Sequence, residues 1–243
     1  MPESRVSCGL LVRLVASVAL VTMCASLAAA QPQNVDIPAA DGTLLRATYF
    51  SPGQPGPAIL LLHQCNMDRH AWDGLAATLA TNGFHVLTFT LRGFSDGAAT
   101  MPEQPLPQWP ADAETALAYL LAQPGVDIGR VAAGGASCGV EHATNLAITH
   151  PEIRALMLLS GDAAPEGVAY VRATPSVAVF GAATTGDQLA SGTRTVVSAS
   201  RNPKSTVKMY AGADHGVAMF RPHPELPNAI VQWLQAQLTP ATK

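Results

Sequence analysis

The two residues in this chain with the clearest chemistry to offer are Ser137 and His215. Ser137 is the centre of Gly135-Ala136-Ser137-Cys138-Gly139, which fits the G-x-S-x-G nucleophile elbow. In that turn a buried strand stops abruptly, a helix begins, and the serine is held out on a strained corner. Glycine is needed two residues to either side, because side chains there would collide with the neighbouring strand and helix. The helix starts beneath the serine, so its free N–H groups can stabilise negative charge developing on a substrate. A glycine-rich turn could carry the same five residues without any chemistry, so the surroundings have to decide. His215 lies in Gly212-Ala213-Asp214-His215-Gly216, just after the last apolar run that reads as a strand. An imidazole so placed would take the proton of Ser137 as it attacks and return it to the leaving group. The seven histidines show no H-x-x-x-H or H-E-x-x-H spacing, so no metal is expected. Neither a G-x-G-x-x-G nor a Walker pattern occurs, so no nucleotide or other cofactor is expected either.

Positioning these residues falls to alternating strands and helices. Residues 35–37 and 44–50 read as two strands around the turn signal Asp41-Gly42. The continuous apolar run 58–63 reads as a strand covered on both faces. A helix over 69–82 closing at Gly83, a strand over 85–90, a loop over 92–97 and a proline-rich segment over 102–110 follow. Then come a helix over 111–123, the nucleophile strand over 130–133, and its helix over 138–150. Strands are expected at 154–160, 176–180 and 206–210, and helices at 188–200 and 225–238. Such alternation predicts an α/β fold, a mostly parallel eight-stranded sheet with helices on both faces. About fifteen residues separate Ser160 from Ser176, too few for a sizeable cap domain. With no repeat or linker in sight, residues 31–243 are expected to form a single domain.

Leu61-Leu62-His63-Gln64-Cys65-Asn66-Met67-Asp68-Arg69, Leu91-Arg92-Gly93-Phe94-Ser95, the Ser137 elbow and Gly212–Gly216 together resemble the α/β-hydrolase superfamily. The resemblance runs from about residue 35 to 238 and is nearest the dienelactone-hydrolase-like and small serine esterase branch. Dienelactone hydrolases usually carry cysteine as nucleophile, whereas this chain has serine, so the likeness implies an ester-type hydrolase and no particular lactone. It places serine, acid and histidine in that chain order. It also implies an oxyanion hole made by the backbone N–H groups of Cys65, after the third strand, and Cys138, after the serine. His63 then reads as a structural histidine bracing the loop. The catalytic acid departs from the pattern. The family expects it a few residues after the strand 176–180, where Thr184 and Thr185 stand, and Asp187 falls two or three residues late. Asp162, after the preceding strand, is the alternative, and a chain with no acid at all is the third reading. Asp214 is the wrong neighbour, since adjacent side chains in a turn diverge.

The cysteines bear on compartment and on the site together. Arg5 and Arg13 precede an apolar run over 14–27 that ends in Ala28-Ala29-Ala30, the layout of a signal peptide over residues 1–30. A retained N-terminal anchor is the alternative. Removal of the leader takes away Cys8 and Cys24 and leaves Cys65 and Cys138 in a secreted or periplasmic, disulfide-permitting compartment. Two N–H groups converging on one oxygen bring their α-carbons close enough for a bridge, so a Cys65–Cys138 disulfide is expected, with two unbonded thiols as the alternative. Only 13% of the 243 residues are charged, the net charge is −3, and no basic run exists. Nucleic acid and stable membrane association after leader removal are therefore not expected. The expected function is a secreted serine hydrolase of carboxylic esters or small lactones. A non-catalytic binding protein of the same fold and a small peptidase are the alternatives.

Overall fold

The computed structural model describes residues 31–94 and 106–238. The expected leader over 1–30, residues 95–97 of the loop 92–97 and residues 102–105 of the proline-rich segment 102–110 lie outside the described residues. Eight strands form one sheet: β1 (Gln33–Pro38), β2 (Leu44–Phe50), β3 (Gly56–Leu62), β4 (His85–Phe89), β5 (Val126–Ala136), β6 (Ile153–Leu159), β7 (Ala178–Thr184) and β8 (Thr206–Tyr210). Their order across the sheet is β1-β2-β4-β3-β5-β6-β7-β8. Only the β1–β2 and β2–β4 pairs are antiparallel, and β1 joins β2 through a hairpin whose Gly42 takes a φ of +83°. From β4 onward every pairing is parallel.

The helices are α1 (Asp73–Thr81), α2 (Trp109–Leu121), α3 (Cys138–Thr149), α4 (Pro165–Ala173), α5 (Ala190–Ala199) and α6 (Glu225–Leu238). Strand periodicity explains how they cover the sheet. In β3, Ala58, Leu60 and Leu62 face one layer, where α2, α3 and α5 pack, while Ile59 and Leu61 face the other, under α1 and α6. All five are fully buried, so the strand reads as an unbroken apolar run. Each large side chain so buried contributes roughly 2 kcal/mol. Among the described residues no helix is long and apolar enough to cross a membrane.

Two elements depart from expectation. Residues 165–173 form α4, which its proline and glycine conceal: Pro165 starts the helix, and Gly167 is packed against the Thr144 hydroxyl of α3. This one short helix is all that separates β6 from β7, and no cap is inserted there. The second departure is β7, which starts and ends later than the expected 176–180. Gly181, Ala182 and Ala183 carry little strand propensity, yet the strand is wholly buried between β6 and β8, where small residues fit. A Cβ on Gly181 would lie 2.5 Å from Val197 of α5. The later end of β7 leaves Asp187 three residues beyond the strand.

Candidate active site

The parallel strands end along one edge, and the segments there carry Ser137, His215, Asp187, Asp162, Cys65 and Cys138. Ser137 joins β5 to α3 with φ +52° and ψ −121°, a conformation that non-glycine residues adopt only when their surroundings enforce it. The enforcement is visible in the packing. A Cβ on Gly135 would lie 2.1 Å from the carbonyl oxygen of Gly139, and one on Gly139 would lie 2.4 Å from that of Leu62. The Ser137 N–H donates to Leu159 O at 2.9 Å, fixing the corner to β6.

Asp187 and His215, the candidate acid and base, follow β7 and β8. Beyond the ends of these strands the pairing continues: the N–H groups of Thr185 and Gly186 donate to Tyr210 O and Gly212 O, both at 2.8 Å. The Thr184 hydroxyl donates to Asp214 O at 2.9 Å. Asp187 and His215 are thereby held side by side. His215 Nδ1–H donates to the Asp187 carboxylate, with 3.0 Å to Oδ2 and 3.1 Å to Oδ1, and Oδ1 also accepts from Leu189 N at 2.9 Å. The carboxylate is 3% exposed and the imidazole 35%. That bond fixes the proton on Nδ1 and leaves Nε2 as the basic nitrogen on the other side of the ring. A Cβ on Gly216, next to His215, would lie 3.4 Å from Cβ of Ala136, next to Ser137. The base loop thus abuts the elbow. Asp162 is not part of this arrangement: it is exposed, and its carboxylate lies against Gly192 of α5.

Cys65 and Cys138 form a disulfide, with α-carbons 5.8 Å apart and a sequence separation of 73. It joins the loop after β3 to the first residue of α3, the two places from which oxyanion donors are expected. His63 sits below that loop, fully buried, between Gln64 O at 2.8 Å from Nδ1 and Leu91 N at 3.0 Å from Nε2. Because Nε2 accepts a backbone N–H, the ring proton must be on Nδ1, donating to Gln64 O. Burial pushes the His63 pKa down to about 4, so this ring braces the loop in its neutral form. Phe94 stands edge-on to His63 at 4.9 Å, and Trp109 stands edge-on to His142 at 5.7 Å. Burial lowers the pKa of His142 as well. On the other side, a cleft of about 570 Å³ is lined by Gly186, Asp187, Gln188, Leu189, Ala213 and His215.

His63 has a consequence for stability. Its folded pKa lies below the unfolded value of 6.5, so the unfolded chain takes up a proton first as pH falls. Stability is full above pH 6.5, declines between 6.5 and 4, and changes no further below. The whole effect is about 3 kcal/mol. Melting temperatures measured across that range should fall more steeply for the native chain than for His63→Gln. Parallel curves for the two would remove His63 from this role.

One side chain in the site carries no sequence signal. Gln64 is 2% exposed, and its Oε1 accepts from Val217 N at 3.0 Å while its Nε2 donates to Asn66 Oδ1 at 2.7 Å.

A family model of the alpha/beta hydrolase fold matches residues 57–187, and the chain belongs to that family. An uncharacterized protein of Mycobacterium tuberculosis is 35% identical to it over 121 residues. That match covers 49% of this chain and 42% of the relative, so the chain spans less than half the length of the curated relative it matches. Solved structures repeat the fold over most of the chain at low identity. The carboxylesterase EstE1 from a metagenomic library has a TM-score of 0.69 and 16% identity, over 88% of this chain and 91% of that one. The esterase domain of a Rhodothermus marinus protein has a TM-score of 0.70 and 17% identity, over 86% of this chain and all of that one. An esterase of Pyrobaculum calidifontis gives 0.67 and 17%, over 85% of each chain.

Proposed function

We propose that this protein is a serine hydrolase that cleaves carboxylic esters or small lactones through an acyl-enzyme. The observation that carries the reading is the buried Asp187 carboxylate on Nδ1 of His215, in a loop packed against a serine in strained backbone. Ser137 Oγ attacks the substrate carbonyl while His215 Nε2 takes its proton. The negative charge gathering on the carbonyl oxygen is met by the N–H groups of Cys65 and Cys138. The tetrahedral species collapses, the C–O bond to the alcohol breaks, and the imidazolium returns the proton to that alcohol. Water, deprotonated by the same nitrogen, then attacks the acyl-serine, and the acid leaves as Ser137 recovers its proton. Support for esters comes from the proteins of like fold, three of them esterases by name. Among the described residues a single short helix connects β6 to β7 with no cap inserted there, which suits small soluble esters. The leader read in residues 1–30 and the Cys65–Cys138 bridge support action outside the cytoplasm.

A fluorophosphonate probe tests the reading directly: an activated serine attacks its phosphorus, fluoride leaves, and the phosphonyl group stays on the serine. The native protein should be labelled within minutes and Ser137→Ala not at all. A native protein that stays unlabelled from pH 6 to 9 would favour the non-catalytic binding protein instead.

A further inference from the structure

Gln64 and Cys65 are consecutive residues of the loop after β3, and their side chains leave in different directions to different partners. Cys65 bonds to Cys138 on the nucleophile side. Gln64 reaches the base side, where its Oε1 accepts from Val217 N at 3.0 Å, two residues beyond His215. We propose that Gln64 is a positioning residue that sets His215 against Ser137 by holding the base loop to the oxyanion loop. This rests on the reading of Ser137, His215 and Asp187 as the catalytic set.

Three observations support it. The amide is almost wholly buried, so its bond to Val217 competes little with water. Its orientation is fixed from the far end, where Nε2 donates to Asn66 Oδ1 at 2.7 Å, which turns Oε1 toward the Val217 N–H. The base loop is also shaped to admit it. Gly216 takes a φ of +60°, and a Cβ there would sit 2.1 Å from Gln64 Oε1. The space that any larger residue would fill beside His215 is the space the glutamine occupies. From the other side the Asp187 carboxylate holds Nδ1 of the same ring. The base loop is thus fixed at His215 by β7 and at Val217 by Gln64, and loss of the second contact frees the ring to swing on the first.

The decisive variants are Gln64→Met, which keeps the length but removes the acceptor, and Gln64→Glu, which restores an acceptor once Asn66 turns its amide to donate. In protein labelled with 15N at histidine, the downfield Nδ1 proton of His215 is assigned by its loss in His215→Asn. The native chain should show this proton, Gln64→Met should lose or broaden it, and Gln64→Glu should recover it. Against p-nitrophenyl acetate, Gln64→Met should lose at least tenfold in kcat with KM within twofold, and Gln64→Glu should regain all but threefold. Should Gln64→Met not fold, Gln64→Asn is one methylene too short to reach Val217 and should show the same losses. A native-like proton and kcat in the folded Met or Asn variant would overturn the assignment, even with a lowered melting temperature. So would absence of the proton from the native chain. A native chain that shows the proton but hydrolyses no ester would instead sink the hydrolase reading, and the resonance in the variants would still decide Gln64.

Discussion

Asp187→Asn should lower kcat by about four orders of magnitude while leaving the melting temperature almost unchanged. The size follows from what the carboxylate does for a serine–histidine pair: it fixes the tautomer and stabilises the imidazolium. The local hydrogen bonds make the expected outcome specific. Leu189 N donates to Oδ1, so an asparagine would keep its oxygen there and turn its NH2 toward His215. Nδ1 would then have to accept, the ring proton would move to Nε2, and Nε2 would no longer be a base. The change is isosteric, so folding should be spared. Asp162→Asn is the control, because its carboxylate lies against Gly192 and makes no bond to His215. Steady-state kinetics on a p-nitrophenyl ester decides the matter. A large loss in Asp162→Asn with Asp187→Asn nearly active would reverse the assignment, and full activity in both would leave Ser137 and His215 working as a pair.

Reduction of the Cys65–Cys138 bridge should have the second largest effect, on stability and activity together. Closing a loop across 73 residues stabilises a fold by about 4 kcal/mol in the chain-entropy model. For a domain whose total stability is on the order of 5–15 kcal/mol, that is a large share. The bridge also joins the two residues whose backbone N–H groups face the reacting oxygen in the proposed mechanism. Their separation is therefore set by a covalent link rather than by packing alone. Urea titrations with and without a phosphine reductant should show a midpoint lowered in proportion. At urea concentrations where the reduced chain remains folded, kcat should still be reduced. Unchanged turnover in the folded, reduced protein would confine the bridge to stability. Two freely alkylated thiols in the unreduced, denatured protein would remove the bridge altogether.

How much of this site was legible beforehand differs from residue to residue. Ser137 and His215 stand in local motifs whose neighbours have steric reasons to be there, as Gly135 and Gly139 demonstrate by what a side chain would meet. The bridge is legible because two N–H groups converging on one oxygen bring their residues' side chains within bonding distance. Asp187 was obscured by a misplaced strand end. The alanines and glycine that finish β7 say little by propensity, and only the buried position of that strand in the sheet explains them. The helix α4 was hidden for a similar reason, with proline and glycine within its first turn. Gln64 could not be read at all. Its meaning lies in one hydrogen bond to a residue 153 positions away, and no periodicity or motif encodes such a pair.

The sheet divides the site into two modules. In the proposed mechanism β3 and β5 deliver the nucleophile and the groups that meet the carbonyl, whereas β7 and β8 deliver the pair that moves the proton. Between them lies β6, and the connection from β6 to β7 through α4 passes directly from one module to the other. Neither module draws its catalytic side chains from that connection. A chain lengthened there would acquire a roof over the cleft, and with it a new substrate preference, while both sets of reacting groups stayed on the strands that hold them. Among the described residues the β6–β7 connection is the short form of that plan, a single helix with no inserted roof.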